Sequence, residues 1–307
     1  MTRSLLLGAL LLAAAASPVA GQTARRDDGR WFDRDRSARL DTTVAFRPGG
    51  IVALTARQGD IVVRTGTRPA VVVHATSDHG RIRFDASDDR VSVDASDAGG
   101  DVRLEITVPA GARVTAQSQS GDIAIRGTGG AVSAHTQSGD VTVQTAAGHI
   151  DFGTLSGDVI ADGLTGDVHA RAVSGDITLT DVTGDVSAET VSGNVHLKNI
   201  TSRSVSAHST SSDVSFDGAI APDGRYEFGT HSGDVMLAIP ANASAQLTVS
   251  TWSGSIDSDF PITLQPGEHG IGSATSKRFT FNIGGGAARI SAESFSGDVV
   301  IHRRGSR

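Results

Sequence analysis

The chain contains no cysteine, eight prolines, one tyrosine and two tryptophans among 307 residues. Without cysteine there is neither a disulfide framework nor a thiolate metal site. With aromatics at 4%, the aromatic-walled groove that a hydrolase or lyase on a β-scaffold would use lacks its material. Almost no stretch has the periodicity of an amphipathic helix. The net charge of −7 is modest and dispersed, which argues against nucleic acid or an anionic membrane as partner.

Long apolar runs are missing too, except at the start. Arg3, the run Leu5 to Ala16 and then Pro18-Val19-Ala20-Gly21 read as a secretory signal peptide over residues 1–21, cut after Gly21. The run is too short to anchor the chain, and no later segment could span a bilayer as a helix. No cysteine follows it, which excludes a lipid-anchored lipoprotein. The expectation is a chain exported to the periplasm, cell surface or exterior. Residues 22–39 mix both signs of charge and read as a disordered linker. The rest, 40–307, reads as one domain.

What the chain does have is glycine, 37 of them, set at a fixed interval. Seven consecutive nine-residue units run from Gly139 to Thr201, each opening on glycine (139, 148, 157, 166, 175, 184, 193). From Gly166 they read GDVHARAVS, GDITLTDVT, GDVSAETVS, GNVHLKNIT. A short fixed period means one supersecondary unit stacked on the next, a solenoid. The third position is always Val or Ile and the fifth is apolar, the alternation of a half-buried strand. Positions seven to two carry turn chemistry. The ninth position alternates Ser156, Thr165, Ser174, Thr183, so two units form one two-sided coil of 18 residues. Coils stacked at roughly 4.8 Å would bury the third, fifth and eighth positions in a continuous core.

The expected fold is therefore all-β, a single-stranded β-helix or β-solenoid. A β-rich N-terminal cap is expected over about 40–112, with strands near 43–46, 51–55, 60–64, 70–75, 81–85, 90–95 and 102–108. Regular repeats follow over about 113–218 and a C-terminal section over about 219–303. Looser copies flank the core repeat at Gly59-Asp60-Ile61, Gly121-Asp122-Ile123, Gly233-Asp234-Val235, Gly254-Ser255-Ile256 and Gly297-Asp298-Val299. Terminal coils are expected to be atypical.

The recurrent aspartates are the first candidates for chemistry. Asp122, Asp140, Asp158 and Asp176 fall on one side of the coil, Asp167 and Asp185 on the other. In register, neighbouring carboxylates would repel by about 1 kcal/mol in water and about 3 kcal/mol at an effective dielectric near 20. Hydrogen bonds from backbone N–H groups at each aspartate's own corner would offset this, as in Asx turns. A ladder of Ca²⁺ ions is the alternative. The calcium β-roll repeat carries three glycines where this one carries a single Gly, so the match is in coil length and not in ligands. Gly121, Gly139, Gly157, Gly166, Gly175, Gly184 and Gly193 read as structural turn residues.

Other chemistry is thinly supplied. His169 and His196 both occupy the outward fourth position but on opposite sides of the coil, so they cannot share a metal. Ser138, Ser156, Ser174 and Ser192 recur as part of a turn, unlike a unique nucleophile, and G-x-S-x-G is absent. Thr178-Leu179-Thr180 stands alone among irregular outward residues, which excludes an ice-binding array. No cofactor is implied.

The S/T-G-D-[VI] repeats, Glu105 to Ala112, Ser253 to Pro261, and Ile283-Gly284-Gly285-Gly286 followed by Ser294 to Val299 together resemble the bacterial putative-adhesin domains of unknown function. The resemblance covers roughly residues 40–303. It implies a single-stranded β-helix-like fold in an exported or envelope-associated protein, and brings no catalytic residues. Departures are Gly148-His149, Asn194 and the irregular stretch 200–213. The expected function is a non-enzymatic envelope or cell-surface scaffold for a macromolecular or glycan partner. The alternatives are a calcium-stabilised secreted β-roll-like protein and, behind it, a carbohydrate-active enzyme.

Overall fold

Alternating Val/Ile and polar residues, broken by glycine at most corners, wind the chain into stacked parallel strands. The computed structural model describes residues 37–261 and 277–305. The expected leader at 1–21 and linker residues 22–36 lie outside the described residues. The first strand, Ala38–Ala45, begins inside the tract read as linker.

Two faces alternate along the coil. On the first, Val141 pairs in parallel with Val159, Val159 with Ile177 and Ile177 with Val195. On the second, Val132 pairs with Ile150, Ile150 with Val168 and Val168 with Val186. Every partner is 18 residues away, the doubled nine-residue interval. The inward columns are closed to water: Val141, Val159, Ile177, Val195, Ile150 and Val168 are all fully buried. Small residues on the second face (Ala170, Ala188, Ala207) lie level with larger ones on the first (Leu179, Leu197, Phe216), which keeps the core filled.

The two corners of a coil differ, and this corrects the expectation for the eighth position. Ala146, Leu164, Val182 and Ile200 are buried, but Leu155, Val173 and Val191 are 54%, 42% and 47% exposed. The cause lies one residue earlier. Thr145, Gly163, Asp181 and Asn199 all take the left-handed conformation, with φ of 56°, 69°, 53° and 55°, which swings the following side chain inward. At the other corner Thr154, Ala172 and Thr190 themselves point inward and are buried, so the next residue faces out.

Both ends are laid down out of sequence order. Arg90–Ala95 and Arg103–Pro109 return beside Ile51–Gln58 and Asp60–Gly66 to add a coil ahead of them. Arg113–Ser120 and Ile123–Arg126 then pair on the opposite edge of that first coil. At the far end Ala288–Ser296 and Val299–Arg303 insert between Val214–Ile239 and the coil of Ala245–Ser253 and Ile256–Ser258. The expected cap strands are present with shifted bounds. The outermost strands Ala38–Ala45, Arg83–Ala86 and Lys277–Ile283 pair antiparallel with their neighbours, closing the parallel stack.

The irregular stretch at 200–213 is where the coil widens. Pairing shifts register between Lys198 and Ile200 and between Ser202 and Ser204. Phe216, Tyr226 and Phe228 fill the added width, with ring centroids 5.0 Å apart for Phe216–Phe228 and 6.0 Å for Phe216–Tyr226. Tyr226 is fully buried. Its hydroxyl donates to the Ser202 carbonyl and accepts from the Ala221 N–H, both at 2.7 Å.

Candidate functional site

The corner that carries Ser-Gly-Asp holds the molecule's distinguishing surface. Gly157 has φ +137°, and a Cβ there would sit 2.1 Å from the Gly139 carbonyl oxygen. Glycine is required by conformation and by contact alike. Gly121, Gly139 and Gly175 continue the same column, and Gly166 and Gly184 occupy the opposite corner with equally close contacts. A Cβ at Gly193 would sit 2.0 Å from the Gly175 carbonyl oxygen.

This close stacking sets the aspartates. Asp122 Oδ1 accepts from the Asp140 N–H at 2.9 Å, Asp140 Oδ1 from the Asp158 N–H at 2.8 Å, and Asp158 Oδ1 from the Asp176 N–H at 2.9 Å. Asp176 Oδ1 accepts from Asn194 at 2.7 Å, and Asn194 passes the pattern to Asp213. The donor is thus the next coil's backbone, not the aspartate's own corner as expected, because glycine brings the coils within reach. Asp167 and Asp185 lie at the other corner, Asp167 opposite His149 in register and Asp185 one coil on, its backbone carbonyl accepting from the Val168 N–H. His169 sits on the second face beside Asp151 and Ser187, and His196 on the first beside Thr178 and Ser215. Among the described residues no three His, Asp or Glu side chains converge to hold a metal ion.

A second ladder lies behind the corner. Thr136, Thr154 and Thr190 hydroxyls donate to the carbonyls of Gly121, Gly139 and Gly175, each at 3.2 Å, and Ser209 to Gly193 at 3.0 Å. Ala172 interrupts it by type. Ser118 interrupts it by geometry: 7% exposed, its Oγ has no hydrogen-bond partner.

Outside these ladders runs a groove that sequence reasoning missed. Three cavities, of about 430, 590 and 450 Å³, lie along this one corner. The first and second share His135 and Thr136, and the second and third share His208 and Ser209. Its rim is the exposed apolar row Leu155, Val173 and Val191, continued by aromatic residues. His231 stacks on Phe295 at 4.7 Å, and Phe295 on Trp252 at 5.9 Å. Beside the rim, exposed serines pair coil on coil: Ser120 with Ser138, Ser138 with Ser156, Ser156 with Ser174, Ser174 with Ser192. Ser232 and Ser253 both pair with Ser296. The inner wall holds His135, whose Nε2 lies 3.2 Å from Asp151 Oδ2, and Arg171, 3.7 Å from Asp151 Oδ1. Gly153 leaves room for the His135 ring, which a Cβ would meet at 2.5 Å. The alternation at the seventh position was the signal that could have found this rim.

Among the described residues no helix is long and apolar enough to cross a membrane. Three solved structures resemble the chain. One is titled a putative adhesin from Parabacteroides distasonis, 11% identical, covering 87% of this chain and 98% of its own, with a TM-score of 0.41. Another is titled a putative adhesin from Bacteroides fragilis, 11% identical, covering 87% and 97%, with a TM-score of 0.39. The third is titled a putative cell adhesion protein from Clostridium sporogenes, 9% identical, covering 87% and 100%, with a TM-score of 0.24. No curated protein matches the chain. The family model described as Toastrack DUF4097 matches residues 130–302, more than half the chain and all of the regular coils beyond the first few, and the protein belongs to that family.

Proposed function

We propose that the protein is a non-enzymatic binding scaffold, exported to the cell envelope or surface, whose contact surface is the groove along the Ser-Gly-Asp corner. The observation that carries this reading is the continuity of that groove: three abutting cavities on a backbone fixed by two hydrogen-bond ladders. A rigid solenoid with variable outward and fixed inward residues is the design of extended-surface binders. The family and the adhesin-titled structures agree with it.

The chemistry of the wall favours binding over catalysis. His135 and Asp151 form a pair that could activate a nucleophile. The hydroxyls behind them, Thr136 and Thr154, are instead committed to backbone carbonyls. Asp151 is also shared with Arg171, which holds it as a counter-ion. Partners are expected among envelope polymers. The test is binding of purified residues 22–307 to envelope fractions, whole cells and glycan surfaces. Saturable binding that a groove substitution weakens is the expected result; absence of any saturable binding refutes the reading.

A further inference from the structure

The outer two rows of the corner are free of formal charge. From Gln119 to Trp252, in spatial order, the rim and the serine row contain no Asp, Glu, Lys or Arg. One residue in five of this chain is charged, and the strands on either side of the strip carry Arg171, Glu189, Asp162 and Lys198. The strip extends for roughly 38 Å at the interstrand spacing. Exposed hydroxyls repeat once per coil along all of it, while the other row is apolar at Leu155, Val173 and Val191, aromatic from His231 to Trp252, and polar at Gln119, Gln137 and Thr210.

A second feature points to a ligand. Ser118 stands in the wall of the first cavity, 7% exposed, with a hydroxyl that no group of the protein satisfies. Its counterparts Thr136 and Thr154 are satisfied internally. An orphaned buried hydroxyl carries a desolvation cost that a bound partner would remove. Beside it Gln117, Gln119 and Gln137 offer amide donors and acceptors to the same cavity.

We propose that this strip binds an extended, uncharged, β-1,4-linked glycan running along the solenoid axis, one sugar per coil. The inference deepens the scaffold reading and rests on it. A hexose in such a chain advances by nearly the distance between stacked strands, so each sugar meets one serine hydroxyl and, over the three middle coils, one aliphatic side chain. Leu155, Val173 and Val191 cover the C–H faces of the sugars, and the serines and glutamines bond their hydroxyls. A peptide laid along the same axis would advance roughly 3.3 Å per residue and fall out of step with the coils. A polyanion or polycation would find no compensating charge on the strip itself, and the groove beside it is lined by both signs, Arg57 with Asp97 and Arg171 with Glu189, and then by Glu227 and Glu293.

The test is calorimetric titration of residues 22–307 with cello-oligosaccharides and with β-1,4-linked N-acetylglucosamine oligomers, from dimer to octamer. Affinity is expected to rise at least about ten-fold from dimer to hexamer. Val173→Glu, at an exposed position, should cost about ten-fold in affinity without lowering the melting temperature. Ser118→Ala should weaken binding about five-fold yet melt no lower than the parent, since its hydroxyl supports nothing inside. Ile160→Glu on the first face is the control and should change nothing. Absence of binding by either series, affinity independent of length, or indifference to Val173→Glu would each overturn the proposal. A dimer dissolved by Val173→Glu, with no glycan bound, would overturn it in favour of a second copy on the strip. Should oligosaccharides fail while envelope fractions bind saturably, only the glycan assignment falls; should both fail, the scaffold reading falls with it.

Discussion

Asp298 donates its backbone N–H to the Asp234 carboxylate at 2.8 Å across 64 residues of sequence. Its own Oδ1 accepts from the Ser255 N–H at 2.7 Å. The last Ser-Gly-Asp-Val of the chain is therefore held between two earlier copies, and the ladder runs in spatial rather than sequence order. This explains the 43-residue interval between Gly254 and Gly297: the chain leaves a vacant rung, builds the next coil and an antiparallel strand, and returns to fill it. An end that would fray in a simple solenoid is enclosed by neighbours on both sides.

The ladder makes a sharp distinction between two substitutions at one residue. Asp158→Asn keeps a carbonyl oxygen that can accept from the Asp176 N–H, as Asn194 does for Asp213, and removes one charge from a row of like charges. It should leave stability within about 0.5 kcal/mol of the parent. Asp158→Ala leaves that N–H without its partner and should cost about 1–3 kcal/mol. Urea denaturation followed by circular dichroism measures both. Equal losses for the two variants would show that the carboxylate oxygen does not bridge the coils.

The hydroxyl ladder behind the corner has a gap that can be filled. Ala172 is 6% exposed and occupies the place of Thr154 and Thr190, whose hydroxyls reach the glycine carbonyl one coil earlier. Ala172→Thr places a hydroxyl opposite the Gly157 carbonyl, beside the open volume of the groove. A gain of about 0.5–1.5 kcal/mol is expected, read as a higher urea midpoint with an unchanged slope. A loss would mean that the gap is sterically closed.

The regular coils were legible because every level of the sequence agrees there. Val or Ile at the third position, glycine at the first and the doubled interval give strand, corner and register together, and the pairing of Val141 with Val159 and of Val159 with Ile177 follows. The orientation of Leu155, Val173 and Val191 was hidden because apolar character alone does not say which way a corner residue points. That is decided by φ at the preceding residue, where Gly163, Asp181 and Asn199 are of types that favour a positive value but Thr145 is not. The interleaved ends were hidden for another reason: the hydrogen bonds of Asp298 depend on which rung is vacant, which no local pattern encodes. The groove, as a product of that corner geometry, was legible only through the alternation of residue types at the seventh position.

Thr145 carries a local strain. It is a β-branched residue at φ 56°, a region that costs a non-glycine residue roughly 1–2 kcal/mol. Gly163, its partner one coil on, is at φ 69° without that cost. Thr145→Gly should therefore raise stability by up to about 1 kcal/mol, the relief being offset in part by the greater freedom of glycine in the unfolded chain. Thr145→Val, which keeps the branch and removes the hydroxyl, should give no gain. Thermal melts of the three proteins decide it; a stabilised valine variant would locate the effect in the hydroxyl instead.

Tyr226 gives the fold a defined alkaline limit. Burial pushes its phenol above the ordinary value of 10.0, the nearby Asp223 charge adds to this, and the hydrogen bond from the Ala221 N–H acts in the opposite direction. The folded state therefore holds the proton more tightly than the unfolded state. Stability from this group is complete below the unfolded tyrosine's pKa, near 10, and declines as pH rises from there through the folded value. Tyr226 is the only tyrosine in the chain, so phenolate absorbance near 295 nm reports it alone. That absorbance should appear together with unfolding and at a higher pH than in the urea-denatured chain. Tyr226→Phe should cost about 1–3 kcal/mol at neutral pH, because the Ser202 carbonyl and Ala221 N–H lose their shared partner, while flattening the alkaline decline. If parent and variant lost stability in parallel above pH 10, the limit would belong to another group.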